Sequence, residues 1–171
     1  MGIKGKVARG LGGLERVAQV IPGYKGYKEK ELRREADKLL RMHLTRQLEE
    51  QWRRLSGLQK RLIDMGRLEL VGALEEAVMK LQTFMDRLKT ASYGYSGFFD
   101  AIKVREEQLD ALYEFDNALL EEVPKVAAGI DKVAEAIAAK KGMAEAIADL
   151  AAVLQAIIET FNKRTEAISQ S

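Results

Sequence analysis

The sequence predicts an all-α protein, and three observations carry that prediction. Helix-forming residues dominate from residue 28 onward, with only two prolines in the chain. Apolar residues recur at alternating steps of three and four. No segment alternates with period two for long enough to be a strand. At 171 residues, with 47% hydrophobic and 32% charged residues, we expect an N-terminal segment over residues 1–23 and one helical domain over 24–171.

The apolar positions form long stripes. In the first half they are Leu55, Leu58, Leu62 and Met65, then, in another phase, Val71, Leu74, Val78, Leu81, Met85 and Leu88. In the second half one heptad frame holds Leu109, Leu112, Leu119, Val123, Val126, Ile130, Val133 and Ile137. Asp116 is the only polar residue in this frame. A shifted frame follows Gly142. A period near 3.5 is typical of coiled-coil-like helices that pack side by side at shallow angles.

Two layouts fit these stripes. The glycine- and serine-containing stretch 91–99 predicts a turn between two arms of similar length, which suggests an antiparallel hairpin of helices, each about 100 Å long if continuous. The other layout is a compact four-helix bundle with further turns near Ser56-Gly57 or Gly66 and near Gly142. The bundle would bring residues 24–27 and 93–99 to the same end.

The first 23 residues predict a basic amphipathic helix. One side carries Ile3, Val7, Leu11, Leu14, Ala18 and Ile21, and the cations Lys4, Lys6, Arg9 and Arg16 lie largely away from it. This pattern suits an anionic lipid surface. Five glycines within residues 2–21 lower its helix propensity, so we expect the helix to need a membrane, a partner or its own bundle. The alternative is a helix packed on the protein's own core.

Two aromatic stretches accompany the predicted turns. In GYKGYK, Tyr24 and Tyr27 follow a Pro-Gly joint, so the stretch is interpreted as a hinge and, second, as a membrane contact. The complete predicted contact surface for a membrane or partner is Ile3, Lys4, Lys6, Val7, Arg9, Leu11, Leu14, Arg16, Tyr24 and Tyr27. In SYGYSGFFD, the aromatic tip Tyr93, Tyr95, Phe98 and Phe99 either plugs the end of the helices or contacts a partner.

No set of residues predicts catalysis, a cofactor or a metal site. The chain has no cysteine and a single histidine, His43, which we interpret as an ordinary helix residue. The doubled carboxylates are interpreted as solvated helix faces. Nucleic-acid binding is not expected, because the basic stretches contain interspersed acids and no recognition motif. We therefore predict a protein that is not an enzyme.

Charge is unevenly distributed along the chain. Residues 1–70 carry seventeen lysines and arginines against nine acidic residues, whereas residues 71–171 carry eleven against seventeen. Such asymmetry favours an anionic partner at one end or self-association between opposite ends. The longest strongly apolar stretch, residues 151–158, is far short of the ~20 residues that span a bilayer. We expect a cytoplasmic location, peripheral on the inner face of the membrane.

The layout also resembles a known family. MGIKGKVARGLGGLERV is a short basic amphipathic start, which a Pro-Gly joint and two long charged arms follow. This plan resembles phage-shock-protein A and its ESCRT-III-like relatives. The resemblance implies binding to anionic membranes through the N-terminal start and polymerisation through the helical arms.

Two hypotheses for function follow. The first is a self-associating helical scaffold that docks on an anionic membrane through residues 3–21. The alternative is a soluble helical-bundle adaptor for protein partners, with the N-terminal helix packed on itself or on a neighbouring subunit. Burial of Val7, Leu11 and Leu14 in the same chain or in a symmetric dimer would favour the second.

Overall fold

The computed structural model describes residues 12–91 and 96–169, and these are helical nearly throughout. Six α-helices and one short 3₁₀ turn (Lys30–Leu32) occur in those ranges, and no strand does. The helices are α1 Gly13–Val20, α2 Arg33–Asp64, α3 Leu68–Thr90, α4 Ser96–Asp100, α5 Glu106–Ala139 and α6 Met143–Ser169. The prediction of an all-α fold is confirmed for the described part of the chain.

Two tight turns separate the long helices. Helix α2 ends where Gly66 adopts a left-handed conformation and the amide of Arg67 donates to the carbonyl of Leu62 at 3.1 Å. Helix α5 ends in the same way at Lys140, with the amide of Lys141 donating to the carbonyl of Ala136 at 3.1 Å. Both are Schellman motifs, which satisfy the last carbonyls of a helix. By contrast, α5 continues without a break through Pro124.

The apolar stripes form the core. All eight apolar positions of the heptad frame in α5 are buried, as are the stripe residues of α6 from Ile147 to Phe161. Of the predicted stripe in α3, Leu74, Leu81, Met85 and Leu88 are buried, whereas Val71 and Val78 are only partly buried. Leu70, Ala77 and Phe84 of α3 are buried as well.

Each of the four long helices packs against two others. Helix α2 contacts α3 and α5, and helix α6 also contacts α3 and α5. Polar contacts give the directions: Lys80 pairs with Gln155 and Arg87 with Asn162, so α3 and α6 run parallel. The tight turns make α2 antiparallel to α3, and α5 antiparallel to α6.

One end of this assembly is covered by additional chain. There the first turns of α2 and α5 meet the last turns of α3 and α6. Residues 21–32 and the short helix α4 lie over them, and α1 packs along α5. We call this the tyrosine end. Among the described helices, none has the length and apolar character needed to cross a membrane.

Candidate functional site

The GYKGYK stretch lies inside the tyrosine end. Tyr24 is 5% exposed and Tyr27 is 0% exposed. Both hydroxyls donate to Oδ2 of Asp116 on α5, Tyr27 at 2.5 Å and Tyr24 at 3.2 Å. From the sequence, the stretch is interpreted as a hinge first and as a membrane or partner contact second; in the structure both rings lie in the interior. The reason is that a buried carboxylate needs hydrogen-bond donors, and the two phenols supply them.

The backbone at Gly26 explains why a glycine separates the two tyrosines. Its φ is +81°, and a Cβ there would lie 2.4 Å from Cδ1 of Leu14 and 2.6 Å from the hydroxyl of Tyr113. That same hydroxyl accepts a hydrogen bond from the amide of Tyr27 at 2.8 Å. A side chain at this position would therefore be strained and would also push the stretch away from α1 and α5.

Arg164 on α6 connects the tyrosines to two buried carboxylates. Its Nε donates to Oδ1 of Asp116 and its Nη2 donates to Oδ1 of Asp37, both at 2.7 Å. Nη2 also lies 3.1 Å from the hydroxyl of Tyr27, which accepts from it. Asp37 in turn accepts from Nε of Arg41 at 2.8 Å. Two guanidinium groups and two carboxylates thus alternate in one buried chain of ion pairs.

Two arginines of α2 extend this network to the carbonyls of neighbouring helix ends. Nη1 of Arg41 donates to the carbonyl of Leu88, in the last turn of α3. Arg33 donates to the carbonyls of Tyr27 and Ala101, at 2.7 and 2.5 Å. A cation at the C-terminus of a helix is favourable because the last carbonyls carry partial negative charge. The arginines therefore tie α2 to α3, to the hinge and to the end of α4.

The aromatic residues gather around this network. The ring of Tyr27 stacks on Phe99 at 6.3 Å between centroids and lies 5.3 Å from that of Tyr113. Phe98 packs edge-on against Phe99 and is buried with it. The expectation that residues 24–27 and 93–99 would share one end is confirmed for these rings. Tyr93 and Tyr95 lie outside the described residues.

Burial dominates the electrostatics of the network. Desolvation raises the pKa of the Asp116 carboxyl, although the guanidinium of Arg164 opposes this shift. Desolvation, together with the nearby charge of Asp116, also raises the pKa of Tyr24 and Tyr27 well above the ordinary value for tyrosine. Both phenols therefore stay protonated and able to donate at neutral pH.

The N-terminal segment is only partly described. Ile3, Lys4, Lys6, Val7, Arg9 and Leu11 lie outside the described residues. Leu14 is partly buried against the core, and Val17 and Ile21 are buried. Arg16 forms an ion pair with Glu114 on α5. Of the three stripe residues that the structure describes, Leu14 and Ile21 thus pack on the protein itself and Ala18 is exposed, whereas Val17, outside the predicted stripe, is buried. Helix α1 packs against α5.

A groove opens beside α1 at the same end. Its volume is about 710 Å³, and it lies between the first turn of α1, the loop 102–105 and the first two turns of α5. Gly12 lines it, so residues 1–11 join the chain at its edge. We call it the α1–α5 groove. Its charged lining residues are Glu15, Lys28, Arg33, Lys103, Arg105, Glu106 and Asp110.

The charged groups of the network are buried and bonded to one another, so they offer no accessible acid, base or nucleophile. Within the described ranges no group of histidine, cysteine and acidic residues has the arrangement of a metal site. Burial and Arg46 lower the pKa of His43, which lies partly buried on α2.

Arg164 was not identified from the sequence as the ionic partner of Asp116, nor were Asp37 and Arg41 as the further members of the network. A signal for one of them exists, because Arg164 continues the apolar frame of α6 three residues after Phe161. A charged residue in a core frame on each of two helices indicates a buried pair.

Comparisons with protein-family models, with curated proteins and with solved structures give no significant match to this chain.

Proposed function

We propose that this chain is a non-enzymatic helical scaffold that docks on an anionic membrane surface through its first eleven residues. The framework for this role is a compact four-helix bundle rather than a long hairpin. The tight turn at Gly66 and the contacts of α2 and α6 with both α3 and α5 support that layout.

The observation that carries the proposal is a group of cations collected around the α1–α5 groove. Lys28 and the loop that carries Lys103 and Arg105 are far apart in the sequence, yet all three cations line the groove with Gly12. All three are exposed, and none forms an ion pair with another described residue. Residues 1–11 add Lys4, Lys6 and Arg9 directly before Gly12. Three exposed cations beside Gly12, and three more in the residues that precede it in the sequence, support a site for anionic lipid, with Glu15, Glu106 and Asp110 as the acidic residues of the same groove.

Burial in and just after α1 supports a shorter inserting segment than expected from the sequence. Residues 3–21 were expected to enter the lipid, but Val17 and Ile21 are buried against the protein. The proposed insertion is therefore limited to Ile3, Val7 and Leu11. The interior position of Tyr24 and Tyr27 supports a fixed attachment, because it ties the chain after α1 to α2, α5 and α6.

The test is flotation with anionic and neutral liposomes. The wild type should float with anionic vesicles only, and deletion of residues 1–11 should abolish flotation while leaving every described residue in place. Reversing Lys28, Lys103 and Arg105 to Glu should weaken binding by about 100-fold or more, since each cation near the surface contributes ~1 kcal/mol.

A matched control carries the same change of charge elsewhere. Lys60, Lys132 and Lys141 are exposed on the parts of α2, α5 and the α5–α6 turn that lie away from the tyrosine end. Their reversal to Glu should leave flotation nearly unchanged. Equal loss in both triple variants would mean that only net charge matters. The groove would then have no special role.

Self-association is the second part of the proposal. Ile63 and Leu68 flank the α2–α3 turn at the opposite end and are 51% and 71% exposed. Exposed apolar side chains at one end of a rod-like assembly favour contact between copies. Sedimentation velocity should show a concentration-dependent oligomer, which Ile63→Ser with Leu68→Ser weakens. A monomer at all concentrations would refute this part.

A soluble adaptor is the second candidate function. The packing of Leu14, Val17 and Ile21 on the chain's own core favours it. So does Met79, which is 62% exposed beside Phe84 and Ile158 in a shallow groove between α3 and α6. If the full-length protein floats with neither anionic nor neutral liposomes, the adaptor becomes the better account.

A further inference from the structure

We infer that the α1–α5 groove binds residues 1–11 of the same chain when no membrane is present. This inference deepens the proposed function, because it names what covers the inserting segment in solution. The apolar side of the segment would then have two alternative partners: the groove and the lipid.

The apolar lining of the groove is the first support. Leu14, Val104 and Leu109 are buried or partly buried, but Ile102 is 82% exposed, more than any other large hydrophobic side chain in the described residues. An isoleucine exposed beside an open cavity offers a contact that the described chain does not use. The cavity volume lies within the range of sites that hold small ligands.

The course of the chain is the second support. Helix α1 begins after Gly12, whose φ of −56° and ψ of 161° are extended rather than helical. Gly12 therefore lies outside helix α1, at the edge of the groove. Residue 3 is nine positions away, and an extended chain covers up to ~3.5 Å per residue, so the whole segment can reach the loop 102–105.

The acidic residues of the groove are the third support. Glu15 and Glu106 lie in the first turns of α1 and α5, and Asp110 lies one turn further along α5. None of them forms an ion pair with another residue in the described ranges. Lys4, Lys6 and Arg9 of the segment would supply the missing partners. The cations Lys28, Lys103 and Arg105 would remain for the lipid.

The experiment exploits the absence of cysteine from the chain. A nitroxide on Ile3→Cys in the full-length protein should broaden the amide signals of residues 102–110 in lipid-free buffer. A nitroxide on Lys60→Cys, at the other end, should leave them sharp. If the label on residue 3 causes no broadening at 102–110, the inference is overturned, whatever the liposome result.

The variant Ile102→Asn, which adds no charge, separates the groove from the membrane. Because this side chain is exposed, the fold should tolerate the change. The broadening should disappear, and the apparent affinity for anionic liposomes should rise roughly three- to tenfold, since the segment is no longer held. Met79→Asn, at an exposed position on α3 outside the groove and the α2–α3 turn, is the matched control and should change neither. A fall in liposome affinity for Ile102→Asn would overturn the inference, because Ile102 would then contact lipid itself.

Two further outcomes are distinguishable. If a spin-labelled copy broadens the signals of an unlabelled, isotope-enriched copy, the occupant belongs to a second molecule and the same-chain inference is overturned. If the broadening occurs within one chain but liposomes never bind, the groove assignment stands and the membrane function fails.

Discussion

Replacing Arg164 with methionine should destabilise the protein by about 3–5 kcal/mol, the usual cost of removing one partner from a buried ion pair. Arg164 is 0% exposed and lies between Asp37 and Asp116, which are 1% and 0% exposed. Methionine fills much of the space but cannot donate a hydrogen bond. In a domain of this size the loss corresponds to a fall in Tm of roughly 6–20 °C.

The structure indicates where this cost arises. Asp37 keeps its bond from Arg41 at 2.8 Å, so part of its charge stays compensated. Asp116 keeps only the hydroxyls of Tyr24 and Tyr27. Most of the loss in the free energy of unfolding should therefore come from the uncompensated charge of Asp116. Adding Asp116→Asn removes that uncompensated charge, so the double variant should be more stable than Arg164→Met alone.

The penalty should also depend on pH. Burial raises the pKa of Asp116 above its ordinary value of 3.8, and Arg164 opposes that shift. Without Arg164 the folded-state pKa rises further, so between 3.8 and that higher pKa the folded state binds more protons than the unfolded state. The free energy of unfolding then falls as pH rises through this window. The cost of Arg164→Met should consequently be largest at neutral pH and shrink on acidification.

Urea unfolding followed by far-ultraviolet circular dichroism would measure these free energies, with the single tryptophan, Trp52, as a second probe. The wild type, Arg164→Met, Asp116→Asn and the double variant would be compared between pH 4.5 and 8. A penalty below about 1 kcal/mol for Arg164→Met would refute the reasoning. A penalty that is independent of pH would also refute it. So would a double variant whose loss of stability equals the sum of the losses of Arg164→Met and Asp116→Asn.

Three further predictions concern the hinge and α2. Tyr27→Phe should lower the free energy of unfolding by about 1.5–3 kcal/mol, because a bond to a carboxylate is lost, and Tyr24→Phe by less, since its bond is longer. Urea unfolding would measure both, and equal losses would contradict this ranking. Gly26→Ala should cost about 2–4 kcal/mol, whereas Gly23→Ala should cost only about 1 kcal/mol. Both have a positive φ, but only the first lacks space for a Cβ; thermal unfolding of the pair would show whether the clash matters. The ring of His43 should titrate below its ordinary pKa of 6.5 in an NMR titration, because burial, aided by Arg46, disfavours its charged form. A midpoint at or above that value would show that water reaches the ring freely.

Helices and their buried faces could be predicted from the sequence because they follow from local spacing. The heptad frame of α5 is buried at each apolar position, and it passes through Pro124 without interruption, as the unbroken pattern indicated. The positions of the turns were harder to choose. Ser56-Gly57 and Gly66 were equal candidates, but only Gly66 adopts the left-handed conformation that ends a helix.

The polar network could be predicted only in part. Asp116 stood out as a polar residue in an apolar frame, but its ionic partner, Arg164, lies 48 residues away on α6, and Arg164 also binds Asp37 on α2, 127 residues from it. No local pattern specifies such pairings. The tyrosines show the same difficulty: next to a Pro-Gly joint they are typical of a wet interface, and only the position of Asp116 explains why they turn inward.

The sequence separation between Asp37 and Arg164 has a consequence for synthesis. Asp37 is made early and Asp116 later, but their shared cation lies on α6, 127 residues after Asp37. At about 5–20 residues per second, roughly 6–25 s pass between the synthesis of Asp37 and that of Arg164. A nascent or truncated chain that lacks α6 would hold two carboxylates without this guanidinium. We therefore expect chains that stop before α6 to remain open to proteolysis.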